Sequence, residues 1–327
     1  MTSRQLTVTS RQLEYILAIA EQGNITQAAQ KLYISQPSLS SVLAHVEDIA
    51  GAKLFDRSLS PMPLTYAGEL YVQMAQKIFA VTEEFRRQVD DIRNELTGRL
   101  NIGCGPYRSP LIIPAILPVL VKLHPGVQYK VTEDSSSVLE EQLLTGVLDV
   151  IFSVGKLKNP AVTCTALVKE EMLLLSPKDM RLPFPCQPNS KNAHCIDLQK
   201  AGQLPFVLMK QGHQLRVIID RIFADAGYIP NIILETSSWE TCLRMVEAGI
   251  ALTILPNARS DVIGIYEERI HKYRLKGDYY QHIFLCYRKN AYFSKVMTEF
   301  IKIALSVFSE NDGHSRETPT EREELKK

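Results

Sequence analysis

Apolar residues between positions 24 and 51 recur in a pattern that predicts two short helices joined by a tight turn. Thr26 is the predicted N-cap of the first helix. Ser35 is the predicted N-cap of the second, which carries Pro37 in its first turn. Apolar residues of the second helix follow at steps of three and four, at Leu39, Val42, Leu43, Val46 and Ile49. We therefore expect the pair to pack through one apolar face and to expose the other.

The exposed face of the second predicted helix is polar and uncharged. It carries Gln36, Ser38, Ser40, Ser41 and His45. Amides and hydroxyls on a short helix can hydrogen-bond base edges in the major groove of DNA, so the pattern favours a helix-turn-helix. An ordinary helical hairpin with a polar surface would show the same pattern, and the pattern alone does not separate the two.

Flanking segments complete a predicted winged helix-turn-helix domain over residues 10–65. An apolar stripe at Leu13, Ile16, Leu17 and Ala20 predicts a first helix that ends near Gly23 and packs across the other two. Residues 52–65 contain two prolines and predict an extended wing, although an ordinary loop fits equally well. The residues predicted to contact DNA are Thr26, Gln27, Gln36, Pro37, Ser38, Ser40, Ser41, His45 and, through a phosphate, Arg57.

A single long helix is predicted over residues 66–97. This segment contains no proline, and its apolar residues follow at steps of three and four over about 30 residues, or about 45 Å at about 1.5 Å per residue. A small head cannot cover so long a stripe. We therefore expect the helix to pair with a second copy of itself, which makes a homodimer.

Predicted strands alternate with helices from residue 98 to residue 308, which is typical of an open, mostly parallel α/β sheet. The alternation occurs twice and predicts two lobes. Lobe I covers about 98–168 and 275–308, and lobe II covers about 169–274. Residues 178–196 are expected to form a surface loop, and the polar residues 309–327 a disordered tail.

Composition and charge change the expected strength of DNA binding. The chain has 327 residues, 45% of them hydrophobic and 22% charged, with no apolar run near the roughly 20 residues of a membrane span. A polar N-terminus without a signal-peptide pattern favours the cytoplasm, where the six scattered cysteines would be reduced. Residues 1–65 hold five basic and five acidic residues, so a single head lacks the usual basic footprint and would need a second copy.

A specific motif in the predicted head resembles that of the LysR-type transcriptional regulators. Ala28-Ala29-x-x-Leu32 is followed by Ser35-Gln36-Pro37-Ser38-Leu39-Ser40, then by Gly51-x-x-Leu54-Phe55-x-Arg57 and Leu64-Thr65-x-Ala67-Gly68. The layout is similar to this family over nearly the whole chain. The resemblance implies a winged helix-turn-helix, a dimerising linker helix and a two-lobed α/β effector domain similar to type 2 periplasmic binding proteins.

The same resemblance implies how the protein acts. Such a regulator binds double-stranded promoter or operator DNA as a homodimer or homotetramer and responds to a small co-inducer. RNA polymerase is a further candidate partner, and a membrane is not expected. Two departures from the family pattern bear on affinity, because Ser41 and Ser60 stand where basic residues are usual. We therefore expect weak half-site binding and a flatter salt dependence.

Four polar loops follow predicted strands and are expected to meet between the lobes, where open α/β sheets bind ligands. Hydroxyls and free N–H groups at helix starts favour an anion such as a carboxylate, and Arg108 or Arg216 would complete its site. For each serine taken alone a simple N-cap is the favoured explanation, so the hypothesis rests on the four loops together. The candidates for effector binding are Gly105, Arg108, Ser109, Ser135, Ser136, Ser137, Gln211, His213, Arg216, Thr236, Ser237 and Ser238.

Other chemistry has less support in the sequence. Cys186, His194 and Cys195 match no zinc spacing, so no metal is expected. Gln214 stands where peroxide-sensing LysR-type regulators have their reactive cysteine, and a redox pair of Cys186 and Cys195 stays open beside the default of free thiols. No GxSxG, Walker A or GxGxxG motif occurs, so neither an enzyme nor a cofactor is expected. A solute-binding protein would account for residues 98–308 but not for the head.

Overall fold

A computed structural model describes residues 8–93, 98–180, 182, 196–201, 203–257 and 269–309. The chain divides into two compact units. The N-terminal unit contains four helices within residues 8–93: α1 (Ser10–Gln22), α2 (Ile25–Lys31), α3 (Gln36–Ala50) and α4 (Tyr66–Ile92). These are the three helices predicted for the head and the long helix predicted after it, the last of which is described as far as residue 93.

Side-chain caps set the starts of these helices. Ser35 caps α3 as predicted, because its hydroxyl accepts a hydrogen bond of 3.3 Å from the backbone N–H of Ser38. The prediction of Thr26 as the cap of α2 was wrong. Asn24 has the extended backbone of an N-cap, and its Oδ1 accepts from the N–H groups of Thr26 at 2.8 Å and Gln27 at 3.2 Å. Thr26 therefore lies inside the first turn.

The apolar faces of α1 to α4 meet in one core. Ile16, Ala28, Leu39 and Leu43 are fully buried there, together with Ala75 from the start of the long helix. The segment between α3 and α4 forms the predicted wing, in which Phe55 and Leu64 pair as an antiparallel bridge and Phe55 packs into the core. Burial of this small core fixes the orientation of α3 within the unit.

The described part of residues 98–309 is built from strands and helices in alternation, and all of it except residues 141–148 belongs to the second, C-terminal unit. The strands are β1 (Gly98–Cys104), β2 (Val127–Glu133), β3 (Val150–Val154), β4 (Val162–Pro177), β5 (Pro205–Met209), β6 (Asn231–Thr236), β7 (Thr253–Pro256), β8 (Ile270–Arg274) and β9 (Tyr280–Arg288). The helices are α5 (Ser109–Leu123), α6 (Ser136–Thr145), α7 (Gln214–Asp225), α8 (Trp239–Glu247) and α9 (Lys295–Ser309).

The main sheet is mixed rather than mostly parallel, which corrects the expectation from the sequence. Its strands follow the order β2-β1-β3-β9-β4-β7, with β8 paired to β4. Only the β1–β2 and β1–β3 pairs are parallel, whereas β9 runs antiparallel to both β3 and β4. The strand β4 is 16 residues long, and its first half was not predicted. A separate parallel pair joins β5 to β6.

Two hydrophobic cores define two lobes within this unit. The first contains residues of β1, β3, β9, α5 and α9, with Phe300 and Leu285 fully buried. The second contains residues of β5, β7, β8, α7 and α8, with Phe206 at its centre. The long strand β4 contributes Leu167 to the first core and Leu174 to the second, so it passes from one lobe to the other.

Several predicted segments lie outside the described residues. These are the end of the long helix at 94–97, most of the loop predicted at 178–196 and nearly all of the tail predicted at 309–327. None of the described helices has the length and hydropathy that a membrane span requires.

Candidate functional site

The outer face of α3 carries the predicted recognition residues. Gln36, Ser38, Ser41 and His45 are exposed and Ser40 is half-buried, while Thr26, Gln27 and Pro37 are exposed nearby. The Nε2 of Gln36 donates to the hydroxyl of Ser40 at 2.9 Å, and the hydroxyls of Ser35 and Ser38 lie 2.7 Å apart. These hydrogen bonds order the first turn of α3 and leave donors and acceptors pointing away from the core, as a groove-reading helix needs.

Arg57 in the wing has an internal partner that the sequence did not reveal. Its Nη2 donates to Oε2 of Glu47 at 3.0 Å. Glu47 lies on α3 with a side chain only 2% exposed, and it also accepts from Nζ of Lys53 at 2.8 Å and from the backbone N–H of Leu54 at 3.0 Å. One buried carboxylate thus ties the wing to α3. The guanidinium of Arg57 remains partly exposed, so it can still reach a phosphate.

The turn between α2 and α3 has an unusual backbone. Tyr33 adopts a φ of +55°, in the left-handed region that non-glycine residues rarely occupy, and its side chain is 95% exposed. The backbone N–H of Ile34 donates to the carbonyl of Ala29 across this turn at 3.1 Å. The turn places a bare aromatic side chain next to the start of α3, a feature that no sequence signal indicated.

One face of α4 presents an apolar stripe to solvent. Leu70, Ile78, Val81 and Phe85 are between 43% and 68% exposed. At about 100° per residue, these positions fall within roughly 80° of one another around the helix axis. Exposed apolar side chains in such a row mark a surface that pairs with another apolar surface.

In the C-terminal unit, Arg108 does not offer a free charge to a ligand. It follows β1, at the N-cap of α5, and its Nη1 and Nη2 donate to Oε1 and Oε2 of Glu170 at 2.8 and 2.5 Å. Both side chains are less than a tenth exposed. The guanidinium carbon also lies 4.9 Å from the ring centroid of Trp239, at the start of α8. A guanidinium from lobe I therefore contacts a carboxylate on the crossing strand and an indole of lobe II.

Tyr107 makes a second contact between the lobes. Its ring meets that of His213 edge to face, with centroids 5.5 Å apart, and its side chain packs against the core of lobe II. Burial raises the pKa of Tyr107, and a hydrogen bond with Ser237 opposes that rise. Burial and the nearby Lys210 lower the pKa of His213, which favours its neutral imidazole. The predicted loops that follow β1, β5 and β6 are therefore in contact with one another, and the protein's own side chains make these contacts.

Arg216 is also paired internally. Its Nε donates to Asp220 at 2.6 Å, and its Nη1 donates to the carbonyl of Met209 at 2.9 Å and to Glu235. The side chain is 7% exposed. Both arginines that the anion hypothesis named thus have carboxylate partners, and an anionic effector would need another cation.

The predicted serines hold local positions in the described structure. Ser238 is the N-cap of α8, where it accepts from Thr241 N–H at 3.2 Å, and Thr236 accepts from the N–H of Ser238 at 3.1 Å. The hydroxyls of Ser135 and Ser137 lie 3.3 Å apart at the start of α6, beside Ser136. Ser109 is buried in the first turn of α5. Gly105 and Gln211 border these loops, and Gln211 is exposed.

An open cavity of about 430 Å³ lies between the lobes at a place that the sequence did not indicate. Its walls come from the end of β3, from α7 and from β9. The residues that line it are Val154, Gly155, Lys156, Gln214, Ile218, Tyr280, Gln281, His282 and Phe284. Gln281 is 2% exposed, and its amide oxygen has no hydrogen-bond partner. A buried acceptor without a donor is costly, so this oxygen would gain from a donor at the cavity.

Comparison with known proteins decides the family. The profile of the bacterial regulatory helix-turn-helix proteins of the LysR family matches residues 10–69, and that of the LysR substrate binding domain matches residues 93–309. The chain belongs to the LysR family. The LysR regulators are transcriptional regulators rather than enzymes, and this member has their DNA-binding and effector-binding domains. The family matches confirm three predictions: the resemblance to LysR-type regulators, the fold class and a role other than that of an enzyme.

Similar proteins match most of the length of this LysR regulator. An uncharacterised helix-turn-helix transcriptional regulator, YybE of Bacillus subtilis, is 27% identical over 91% of this chain and 99% of its own. The transcriptional dual regulator OxyR of Escherichia coli is 28% identical over 75% and 78%. Among solved structures, a full-length OxyR variant from Pseudomonas aeruginosa matches with a TM-score of 0.70 at 24% identity, covering 96% of this chain and 99% of that one.

A further solved structure extends the likeness of fold to a DNA complex. CbnR complexed with its target DNA matches this LysR regulator with a TM-score of 0.64 at 21% identity, covering 92% of this chain and all of that one. Cys186, His194 and Cys195 lie outside the described residues, within which no group of potential metal ligands occurs.

Proposed function

We propose that this regulator binds operator DNA as a dimer or tetramer, with α3 in the major groove, and responds to a small anionic effector held between the lobes. The DNA-binding part of this proposal rests on the exposed polar face of α3. Glu47 on α3 supports it by accepting hydrogen bonds from Leu54 and Arg57, which hold the wing beside that helix. The fold that the chain shares with CbnR, which has been solved with its target DNA, supports this assignment.

Two independent observations support the proposed oligomer. The head has as many acidic as basic residues, so one copy makes few phosphate contacts. The exposed stripe on α4, at Leu70, Ile78, Val81 and Phe85, offers the surface through which two copies pair. Two linked heads bind a two-part site far more tightly than one head binds half of it.

The first test is a footprint of the purified protein on the intergenic DNA beside its own gene, at two salt concentrations. We expect protection of a two-part site. Replacing Ser41 by arginine should tighten binding and make the slope of log K against log salt more negative by about 0.9 per head, because each new phosphate contact releases counterions. The Asn290→Arg variant adds the same charge in the effector domain and should leave the slope unchanged. Absence of protection by the wild type and by Ser41→Arg at low salt would refute DNA binding by this head.

The 430 Å³ cavity is our proposed effector site. Its volume suits a small molecule. Lys156 is exposed at its edge, no carboxylate occurs among its lining residues, and Ile218 and Phe284 supply apolar walls. A second cavity of about 300 Å³ in lobe II is lined by Asp197, Asp225 and Lys276 and suits an anion less well. These features favour a carboxylate that also carries a hydroxyl or amino group, whose hydrogen could meet the unpartnered oxygen of Gln281.

Calorimetry separates this site from a non-specific charge effect. We expect small hydroxy- or amino-carboxylates to bind the full-length protein and their uncharged amides to bind weakly. The Lys156→Met variant should weaken carboxylate binding about tenfold, the loss of one charge-assisted hydrogen bond. Lys158→Met removes an equally exposed charge two residues away, outside the cavity lining, and should change little. Binding of neutral ligands only, or equal effects of the two variants, would reject the anionic effector at this site.

A further inference from the structure

Two cysteines face each other across the pair of strands at the centre of the main sheet. Cys164 on β4 and Cys286 on β9 are directly opposed in the antiparallel register, and their Sγ atoms are 2.9 Å apart. Both are free thiols in this structure. They are separated by 122 positions in the sequence, and neither has a role in the DNA-binding face or in the proposed effector cavity.

The register alone brings the two cysteines within the range of a disulfide. Directly opposed residues of antiparallel strands have Cα atoms about 4.5 or 5.5 Å apart, depending on the type of pair. Both values lie inside the roughly 4.4–6.8 Å range of disulfide-bonded cysteines. Opposed side chains also leave the sheet on the same face. A bond between the two sulfur atoms therefore needs only side-chain adjustment and no change of strand pairing.

The two thiols differ in their surroundings, and this difference decides which of them reacts first with an oxidant. Cys164 is half-buried, so a small oxidant can reach it. Cys286 is buried, and burial together with the neighbouring Cys164 raises the pKa of its thiol. Attack on an oxidant requires a thiolate and access, and Cys164 has the better access.

We propose that Cys164 and Cys286 form a reversible disulfide when the protein meets hydrogen peroxide. The Cys164 thiolate attacks one peroxide oxygen, the O–O bond breaks, and the products are the sulfenic acid of Cys164 and, after protonation, one water molecule. The sulfur of Cys286 then attacks Sγ of Cys164, loses its proton, and displaces the hydroxyl as a second water. Two thiols and one peroxide thus give one disulfide and two waters.

This pair of cysteines is separate from the position that peroxide-sensing LysR-type regulators use, where the chain has Gln214.

The fold also indicates what the disulfide would do to the sheet. β4 passes between the two lobes, and β9 pairs with it from Val162 opposite Arg288 to Glu171 opposite Tyr280. A covalent link near one end of this ladder secures the two strands against separation.

The test uses the reduced full-length protein, treated with hydrogen peroxide, alkylated and digested for mass spectrometry. We expect a peptide pair linked through Cys164 and Cys286, which is lost on treatment with dithiothreitol. The oxidised protein should also melt at a temperature roughly 5 °C higher, because the link constrains the unfolded chain. Cys164→Ser should abolish both effects. Cys104→Ser, a change at a buried cysteine in β1, should preserve them.

Two results would overturn the proposal. One is irreversible oxidation of Cys164 to its sulfinic acid without a linked peptide. The other is a dominant link from Cys164 or Cys286 to Cys186 or Cys195. A variant with serine at positions 186 and 195 controls for that second route and should still form the Cys164–Cys286 link. Peptide identification in the wild-type protein decides the matter even where the Cys164→Ser variant is too unstable to purify.

Discussion

Replacing Glu170 by alanine should destabilise the effector domain by about 3–5 kcal/mol. The Arg108 side chain is only 8% exposed. The change leaves its guanidinium buried without the carboxylate that accepts hydrogen bonds from both of its terminal nitrogens. Removing one partner of a buried pair is expensive because the remaining charge stays out of water. Urea denaturation followed by fluorescence measures the loss directly, since Trp239 is the only tryptophan in the chain and lies against this guanidinium.

The neighbouring residue provides a matched control. Glu171 pairs with Arg274 at 2.6 Å, but their side chains are 25% and 41% exposed, so Glu171→Ala should cost at most about 1 kcal/mol. A double variant, Arg108→Met with Glu170→Leu, should recover much of the loss because no buried charge is left alone. Equal costs at positions 170 and 171 would show that the Arg108–Glu170 pair does not stay buried in solution.

Replacing Gly68 by alanine should destabilise the DNA-binding unit by about 3 kcal/mol. A Cβ at this position would lie 1.9 Å from the carbonyl oxygen of Leu54 and 3.0 Å from Cδ2 of Leu64. That carbonyl already accepts from the backbone N–H of Thr65 at 2.9 Å, so neither the wing nor the start of α4 can shift without breaking a hydrogen bond. Alanine favours a helix over glycine by only about 1 kcal/mol, so the steric conflict wins.

Hydrogen–deuterium exchange over residues 10–65 tests this expectation, with operator binding as the second readout. Gly51→Ala is the comparison within the same unit. Its Cβ would meet nothing within 4 Å, and its cost comes only from a φ of +70°, about 1–2 kcal/mol. Unchanged exchange protection in Gly68→Ala would mean that α4 does not approach Leu54 as closely as this structure places it.

Local sequence patterns predicted the helices well, because helix signals lie within a few residues of one another. Ser35 capped α3 as expected, and Gly23 ended α1 in the left-handed conformation. The error at α2 is of the same local kind, since Asn24 and Thr26 are both good caps and only the geometry chose between them. The first half of β4 was missed because its burial is intermediate and its sequence lacks the apolar run of a buried strand.

The sites were less predictable because their partners are far apart in the sequence. Glu170 lies 62 positions from Arg108, and pairing them requires knowledge of how β4 crosses between the lobes. Four polar loops were predicted to meet, and contacts join three of them, those after β1, β5 and β6; the side chains of Tyr107 and Arg108 that make these contacts could not be foreseen. The opposition of Cys164 and Cys286 likewise depends on the antiparallel register of β4 and β9.

The position of β9 in the sheet has a consequence for synthesis on the ribosome. β9 is the last strand among the described residues, but it lies in the interior of the sheet, between β3 and β4. Until it emerges, both of those strands present open edges that can pair with other chains. The DNA-binding unit and the core of lobe II are complete earlier in the sequence. We therefore expect ribosome-bound chains that stop before residue 280 to need a chaperone, although every residue of the DNA-binding head is already present.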